Sequence, residues 1–292
     1  MPNIKVISFV NMKGGVAKTT LTANVGWALT HFHSKNVLMI DVDMQANLSQ
    51  YFMKPQDYAD LVNREGSFKD KLTVMAVYQK RNLTTPSTVR ESGNKTEIPK
   101  LNLKNLKQTI YSKDGAVLDL IPSTLELVDL DPTNADNRLK IFLNEVRDKY
   151  HYLLIDCPPT MYFFTKSALI ASDAYLIPVK PDHLSSFGFI LLERVIKQFE
   201  SDYEKKLIQL GTVFTLVEGK ETNLMRDTMR NMRKLSDRYF FNQVFHHSTK
   251  VAEAAKYNKT LFEYPPAERY ADEIKIITDD LIRKIKEVEN NG

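Results

Sequence analysis

The chain has 292 residues, of which 43 % are hydrophobic and 26 % charged, and a formal net charge of +4. That length suits one large α/β domain or two small ones, and the balance is that of a globular rather than a disordered protein. A single cysteine, Cys157, excludes an internal disulfide, and no apolar run reaches the roughly 18 residues of a membrane-spanning helix; the cytoplasm is the expected compartment.

The first predicted element is a strand over residues 4–10, IKVISFV. It opens the sequence directly, without the charged start, apolar middle and small-residue cleavage site of a secretory signal. NMKGGVAKTT follows at 11–20, and a helix is predicted from Thr19 to about Phe32. The common phosphate-loop pattern is G-x-x-x-x-G-K-[ST]. Here Lys18 and Thr19 close the pattern, but Met12 and Ala17 occupy the two glycine positions. A further lysine, Lys13, stands five positions before Lys18. The strand–loop–helix context is what phosphate binding needs. Gly14 and Gly15 let backbone N–H groups come close to phosphate oxygens, and a helix N-terminus adds partial positive charge. Lys18 is then placed for the β- and γ-phosphates, the Thr19 hydroxyl for Mg²⁺ and Thr20 for the α-phosphate. Val16 and Ala17 complete the loop. The alternative is two glycines that merely turn the chain.

VLMID (37–41) is the second predicted strand, and DVDMQANLS (41–49) carries Asp41 and Asp43 out of its C-terminal end. That end is where open α/β sheets bind ligands. Residues 54–113 break the strand–helix rhythm. They are polar, 84–100 reads as loop, and the whole is expected to be a helical insertion without chemistry of its own. The strands resume at 117–121, 152–156, 174–179 and 211–217, alternating with helical periodicity at 136–149, 184–200 and 223–239. Their apolar runs are continuous, as in strands buried on both faces of a parallel sheet. The predicted fold is therefore α/β, a doubly wound and mostly parallel sheet with helices on both faces. In LLIDCPP, Asp156 ends a strand in the manner of a Mg²⁺-organising acid. Taken singly, each of these aspartates also suits a helix cap or a surface turn. Cys157 is expected to be a small buried residue. The histidine pairs at 31/33 and 246/247 lack a second cluster at zinc-like spacing.

Between residues 220 and 260 stand nine Lys/Arg against four Asp/Glu, whereas 261–292 hold five against eight. The basic excess thus sits in one window. Arg226, Arg230 and Arg233 share a predicted helix face, with Lys220 and Lys250 near in sequence, while Met225, Met232 and Leu235 lie on the packing side. The alternative is a solvated basic face. The last predicted helix, 272–288, carries one apolar stripe of core-docking type.

KGGVAKTT, DVDMQANLS, IPSTLEL (121–127), DCPPTMYFFTKSALIASDAYLIPV and KVAEAAKYNKTLFEYPPAERYADE (250–273) together resemble the deviant Walker-A ATPases, specifically the ParA branch. The resemblance spans nearly the whole chain apart from 54–113. It implies a single ParA-like ATPase domain over 1–292, with ATP and Mg²⁺ as cofactors and ATP hydrolysis as the reaction. By the same resemblance, Lys13 reaches across an ATP-bound homodimer to the partner's phosphates. Asp43 places the attacking water, and Thr19, Asp41, Asp43 and Asp156 surround the Mg²⁺. Lys220, Arg226, Arg230, Arg233 and Lys250 are expected to bind DNA without sequence preference. A ParB-like adaptor and a plasmid or chromosome origin as cargo follow, with nucleoid association and no membrane. A protein cargo is the alternative, as is a MinD-like membrane role, against which the lack of a basic amphipathic tail argues. No helix-turn-helix extension precedes residue 4, so operator-specific repression is not expected. Met44 departs from the family's usual proline after Asp43, and Ala17 from its glycine.

Overall fold

The computed structural model describes residues 3–79, 88–91, 94–97, 101–131, 135–182, 184–220, 222–235 and 238–291. Its strands are β1 Val6–Phe9, β2 Val37–Asp41, β3 Thr88–Glu91, β4 Asn94–Glu97, β5 Gln108–Lys113, β6 Ala116–Ile121, β7 Tyr152–Asp156, β8 Ala174–Val179, β9 Ile208–Val217 and β10 Phe245–His246. The α-helices are α1 Lys18–His33, α2 Asn47–Phe52, α3 Pro55–Asn63, α4 Met75–Tyr78, α5 Leu103–Leu106, α6 Arg138–Val146, α7 Phe163–Ala171, α8 Ser185–Asp202, α9 Asn223–Leu235, α10 Thr249–Lys256 and α11 Glu268–Asn291.

Eight strands form one sheet in the order β10-β9-β8-β1-β7-β2-β6-β5. Every pairing in it is parallel except β5 with β6. Successive residues of a strand point to opposite faces, and both faces are covered. On one face Leu38, Ile40, Leu153 and Ile155 pack with α6, α7, α8 and α9. On the other, Val37, Met39, Ile7 and Phe9 pack with α1, α10 and α11. A strand that feeds two cores has no polar side to show, which explains the unbroken apolar runs. Gly26 lets α1 lie close to the sheet, since a Cβ there would meet the Met39 sulfur at 2.9 Å. The stripe of α11 (Ile274, Ile277, Leu281, Ile285) is buried against this face. No helix among the described residues is long and apolar enough to cross a membrane.

The structure corrects several boundaries. Residues 108–113 belong to the main sheet as β5, not to the insertion. β5 is an edge strand with partly exposed residues, so its polar sequence does not resemble the central strands. Within the expected loop at 84–100, a two-stranded antiparallel hairpin, β3–β4, is formed; residues 84–87, 92–93 and 98–100 lie outside the described residues. The helix expected at 136–149 shortens to α6 followed by a 3-10 turn at 147–149. The one expected to reach Tyr239 ends at Leu235, and the chain returns to the sheet, where Phe240 bridges Thr212. Leu235 is 54 % exposed rather than packed; Met229 joins Met225 and Met232 in the core instead. Cys157 is buried just beyond β7.

Candidate functional site

Strands β1, β2 and β7 are in register, with Phe9 and Asp41 both level with Asp156. The loops that leave them therefore open at one place on the sheet's C-terminal edge. Residues 10–17 wrap back from β1 into α1. Gly15 and Ala17 hold positive φ, 65° and 58°. Ala17 is the N-cap of α1 and offers no side-chain oxygen, so the first-turn N–H groups meet no capping side chain. Such an end favours an anion.

The loop is braced from both sides. Asn11 accepts the Lys13 N–H at 2.9 Å and donates to the Pro178 carbonyl at 2.6 Å. Thr215 of β9 donates to the Val16 carbonyl at 3.0 Å. The Lys18 ammonium curls over its own loop, donating to the carbonyls of Asn11 and Lys13, each at 3.1 Å. Burial lowers its pKa, against the pull of Asp156, Cys157 and Asp43. Lys13 points elsewhere, with its ammonium bonded to Asp182.

Three carboxyl groups gather behind the loop. Thr19 Oγ1 donates to Asp156 Oδ2 at 2.7 Å. Asp41 accepts the Ser49 N–H at 2.9 Å, the Ser49 hydroxyl at 2.7 Å and the Asp43 N–H at 3.1 Å. Ser49 Oγ in turn accepts the Ser123 N–H at 2.8 Å, which ties in the IPSTLEL segment. Asp43 accepts the Gln45 N–H at 3.0 Å and faces the cavity. Burial raises the Asp41 pKa first of all, and the neighbouring Asp156 adds to it. Burial likewise raises Asp156, opposed by Thr19 and Lys18 and assisted by Asp43. Carboxyl groups crowded with one buried ammonium suit a divalent cation. Among the described residues no three His, Cys, Asp or Glu side chains form a metal cage. Mg²⁺ needs none, because it is usually held by one or two carboxylates together with substrate phosphates. Thr19 and Asp156, with Asp43 opposite, fit that mode; Asp41 already spends its oxygens on Ser49 and Asp43.

Lys18, Thr19 and Asp43 line a cavity of about 1000 Å³, with Asp41 and Asp156 buried behind them. One wall is the loop from Gly14 to Thr20. The facing wall comes from a stretch whose role the sequence did not reveal: His247, Val251, Ala255 and Lys256 on or before α10, with Leu216 at positive φ (53°) at the end of β9. Asn258 fastens this wall to α2, donating to the carbonyls of Gln50, Tyr51 and Met53 at 2.8, 3.3 and 2.9 Å. The amphipathic KVAEAAK run was the available signal for α10.

None of the basic candidates lines the cavity, although Lys250 sits on α10, its facing wall. Lys220, Arg226, Arg230, Arg233 and Lys250 are all exposed. Arg226 bonds Asn223 at 2.8 Å, Arg230 pairs with Asp227 at 3.6 Å and Lys250 with Glu253 at 2.9 Å. Arg233 differs from them. It donates to the Phe241 carbonyl at 3.4 Å and lies 5.4 Å from the Phe214 ring centre, so part of its role is to hold α9 down.

A family model described as an AAA domain matches residues 4–209. Similar curated proteins include a ParA family protein of Chlamydia trachomatis, 27 % identical over 98 % of this chain and 100 % of that one. The sporulation initiation inhibitor protein Soj of Bacillus subtilis is 27 % identical over 92 % and 94 %. Among solved structures, a putative plasmid partition protein from Borrelia burgdorferi bound to AMPPNP has a TM-score of 0.68 at 20 % identity, over 94 % of this chain and 99 % of that one. A Cyanothece McdA variant in complex with ATP has a TM-score of 0.71 at 19 %, over 94 % and 96 %. At those identities the structural likeness speaks for the fold alone.

Proposed function

Because the chain belongs to the AAA-domain family, as a ParA-type P-loop ATPase, we propose that it hydrolyses Mg²⁺·ATP, dimerises when ATP is bound and positions a DNA cargo on nucleoid DNA through a ParB-like adaptor. One observation carries the reading. The uncapped start of α1, Lys18, Thr19 and Asp43 all line one cavity, and Asp156 backs it through its hydrogen bond from Thr19.

In this reading the backbone N–H groups of residues 14–20 hold the phosphates. Lys18 exchanges the carbonyls of Asn11 and Lys13 for phosphate oxygens. Thr19 and Asp156, together with the nucleotide, would hold Mg²⁺, which would supply positive charge to offset that building on the transferring phosphoryl group. Asp43 orients the attacking water, and Asp41 fixes the turn that carries Asp43. Lys13 acts on the phosphates of a second copy, as an arginine finger does. The AMPPNP and ATP bound by the Borrelia and Cyanothece proteins support the choice of nucleotide. The names of the curated relatives support partition as the role.

The exposed cations Lys220, Arg226, Arg230 and Lys250 supply phosphate contacts without base readout. The test is fluorescence anisotropy with two unrelated duplexes over a salt series. ATP is expected to bring out binding indifferent to sequence, with log K falling by about 0.9 per neutralised phosphate per decade of salt. Charge reversal at Lys220, Arg226 and Arg230 together is expected to remove it and to spare ATP-dependent dimerisation. A wild type that ignores DNA in every nucleotide state would refute the DNA arm of the proposal.

A further inference from the structure

We infer that Asp182 is a positioning residue for Lys13, holding that ammonium on its own chain until a second copy docks; the inference rests on the ATP-driven dimer proposed above. The two residues lie 169 positions apart. They meet because β1 and β8 are neighbours in the sheet, and the loops that follow these strands leave it side by side. Lys13 Nζ bonds Asp182 Oδ2, with the two side chains 42 % and 34 % exposed. The pair is therefore neither sealed in the core nor a loose surface contact.

Both members are held in place for this meeting. The Lys13 backbone is fixed by Asn11. Asp182 Oδ1 accepts the Ser185 hydroxyl at 2.8 Å, and the Asp182 carbonyl accepts the Ser185 N–H at 3.0 Å at the start of α8. Burial works to raise the Asp182 pKa, yet hydrogen bonds from Lys13 and Ser185 hold it below the ordinary value, so the carboxylate is charged at neutral pH. Asp182 is separate from the carboxyl cluster at Asp156, and the lining of the nucleotide cavity does not include it.

On this inference, the reach to the phosphates of another copy draws the ammonium away from Asp182, which otherwise holds it on its own chain. Formation of the dimer must break this pair once in each chain. The contact therefore raises the protein concentration at which two copies associate, and it keeps Lys13 from engaging any nucleotide while the chain is single. Loss of the carboxylate is expected to free Lys13 and to ease association.

Sedimentation velocity with Mg²⁺ and AMPPNP over a protein dilution series tests this. Asp182→Asn keeps the size of the side chain and an acceptor for Ser185. It is expected to lower the concentration for half-maximal dimer by roughly two- to thirty-fold, the range for two partly exposed ion pairs. Asp182→Glu restores the charge and is expected to return the midpoint toward that of the wild type, which loss of packing alone would not do. An unchanged or higher midpoint in Asp182→Asn, beside a wild type that does dimerise, overturns this inference alone. So does Asp182→Glu behaving as Asp182→Asn. A wild type that stays monomeric at every concentration overturns the dimer reading, and this inference with it.

Discussion

Thr19 and Asp156 are 137 residues apart, yet the Thr19 hydroxyl donates to the Asp156 carboxylate at 2.7 Å. The contact joins the first turn of α1 to the end of β7 and sets a hydroxyl and a carboxylate where a phosphate-bound cation needs both. It also partly compensates a carboxyl group that burial disfavours in its charged form.

A pH prediction follows from that burial. The pKa values of Asp41 and Asp156 are raised above those of the unfolded chain. The native state therefore keeps protons that the unfolded state releases above about pH 4. By linkage, the favourable contribution is complete below that pH and is lost as pH rises through the raised native values. The melting temperature of the nucleotide-free protein is expected to fall between pH 5 and pH 8, and Mg²⁺·ADP is expected to reduce the fall. Thr19→Val, which removes the donor, is expected to steepen it. Calorimetric scans that stay level across this range would count against the raised values.

Lys18→Ala is expected to lower ATP affinity by at least about 100-fold. Hydrogen bonds to a charged group contribute roughly 1.5–3 kcal/mol each, and the Lys13 ammonium is engaged by Asp182. Isothermal titration with Mg²⁺·ATP makes the check; unchanged affinity would show that Lys18 is no phosphate ligand.

Asp43→Ala is expected to keep nucleotide and lose hydrolysis, by about 100-fold or more, the scale of a missing proton-handling group. The variant is expected to accumulate as an ATP-bound dimer on gel filtration. A variant that turns over ATP at the wild-type rate would remove Asp43 from the chemistry.

Ala17→Gly is expected to stabilise the protein. Ala17 sits at φ 58° and ψ 29°, where an L-residue costs roughly 1–2 kcal/mol. Glycine relieves that strain but adds freedom to the unfolded chain, so the net gain is about 0.5–1 kcal/mol. The melting temperature is expected to rise by about 1–2 °C. A fall on thermal denaturation would mean that the methyl group packs better than the strain suggests.

The readability of this chain tracked how local each feature is. Strands β2, β7 and β8 stood out because burial on both faces leaves an unbroken apolar run, and their limits match the runs read from sequence. The loop around Lys18 and the aspartates at strand ends were legible because each motif is a few consecutive residues. β5 was missed because an edge strand needs fewer apolar residues. The partner of Lys13 depends on the adjacency of β1 and β8, which no short window contains. Arg233 was grouped with Arg226 by helical spacing, but its contact with Phe214 comes from a strand outside that window. The same spacing puts Leu235 on the packing side; the helix ends at that residue, and the side chain is 54 % exposed.

The clasp made by Asn258 on α2 has a bearing on how the molecule is assembled during synthesis. It bonds residues 205 to 208 positions earlier, and Leu261 donates to Asn24 at 2.8 Å across 237 positions. At about 5–20 residues per second, the ribosome needs roughly 10–50 s to travel from the phosphate-binding loop to the residues that wall it in. For that interval the nascent chain displays the loop beside an open trough. A nucleotide there would have the phosphate loop to hold it but not the wall from α10. A chain cut short before residue 258 is expected to hold nucleotide more weakly than the full chain, so that tight capture marks a chain synthesised past its clasp.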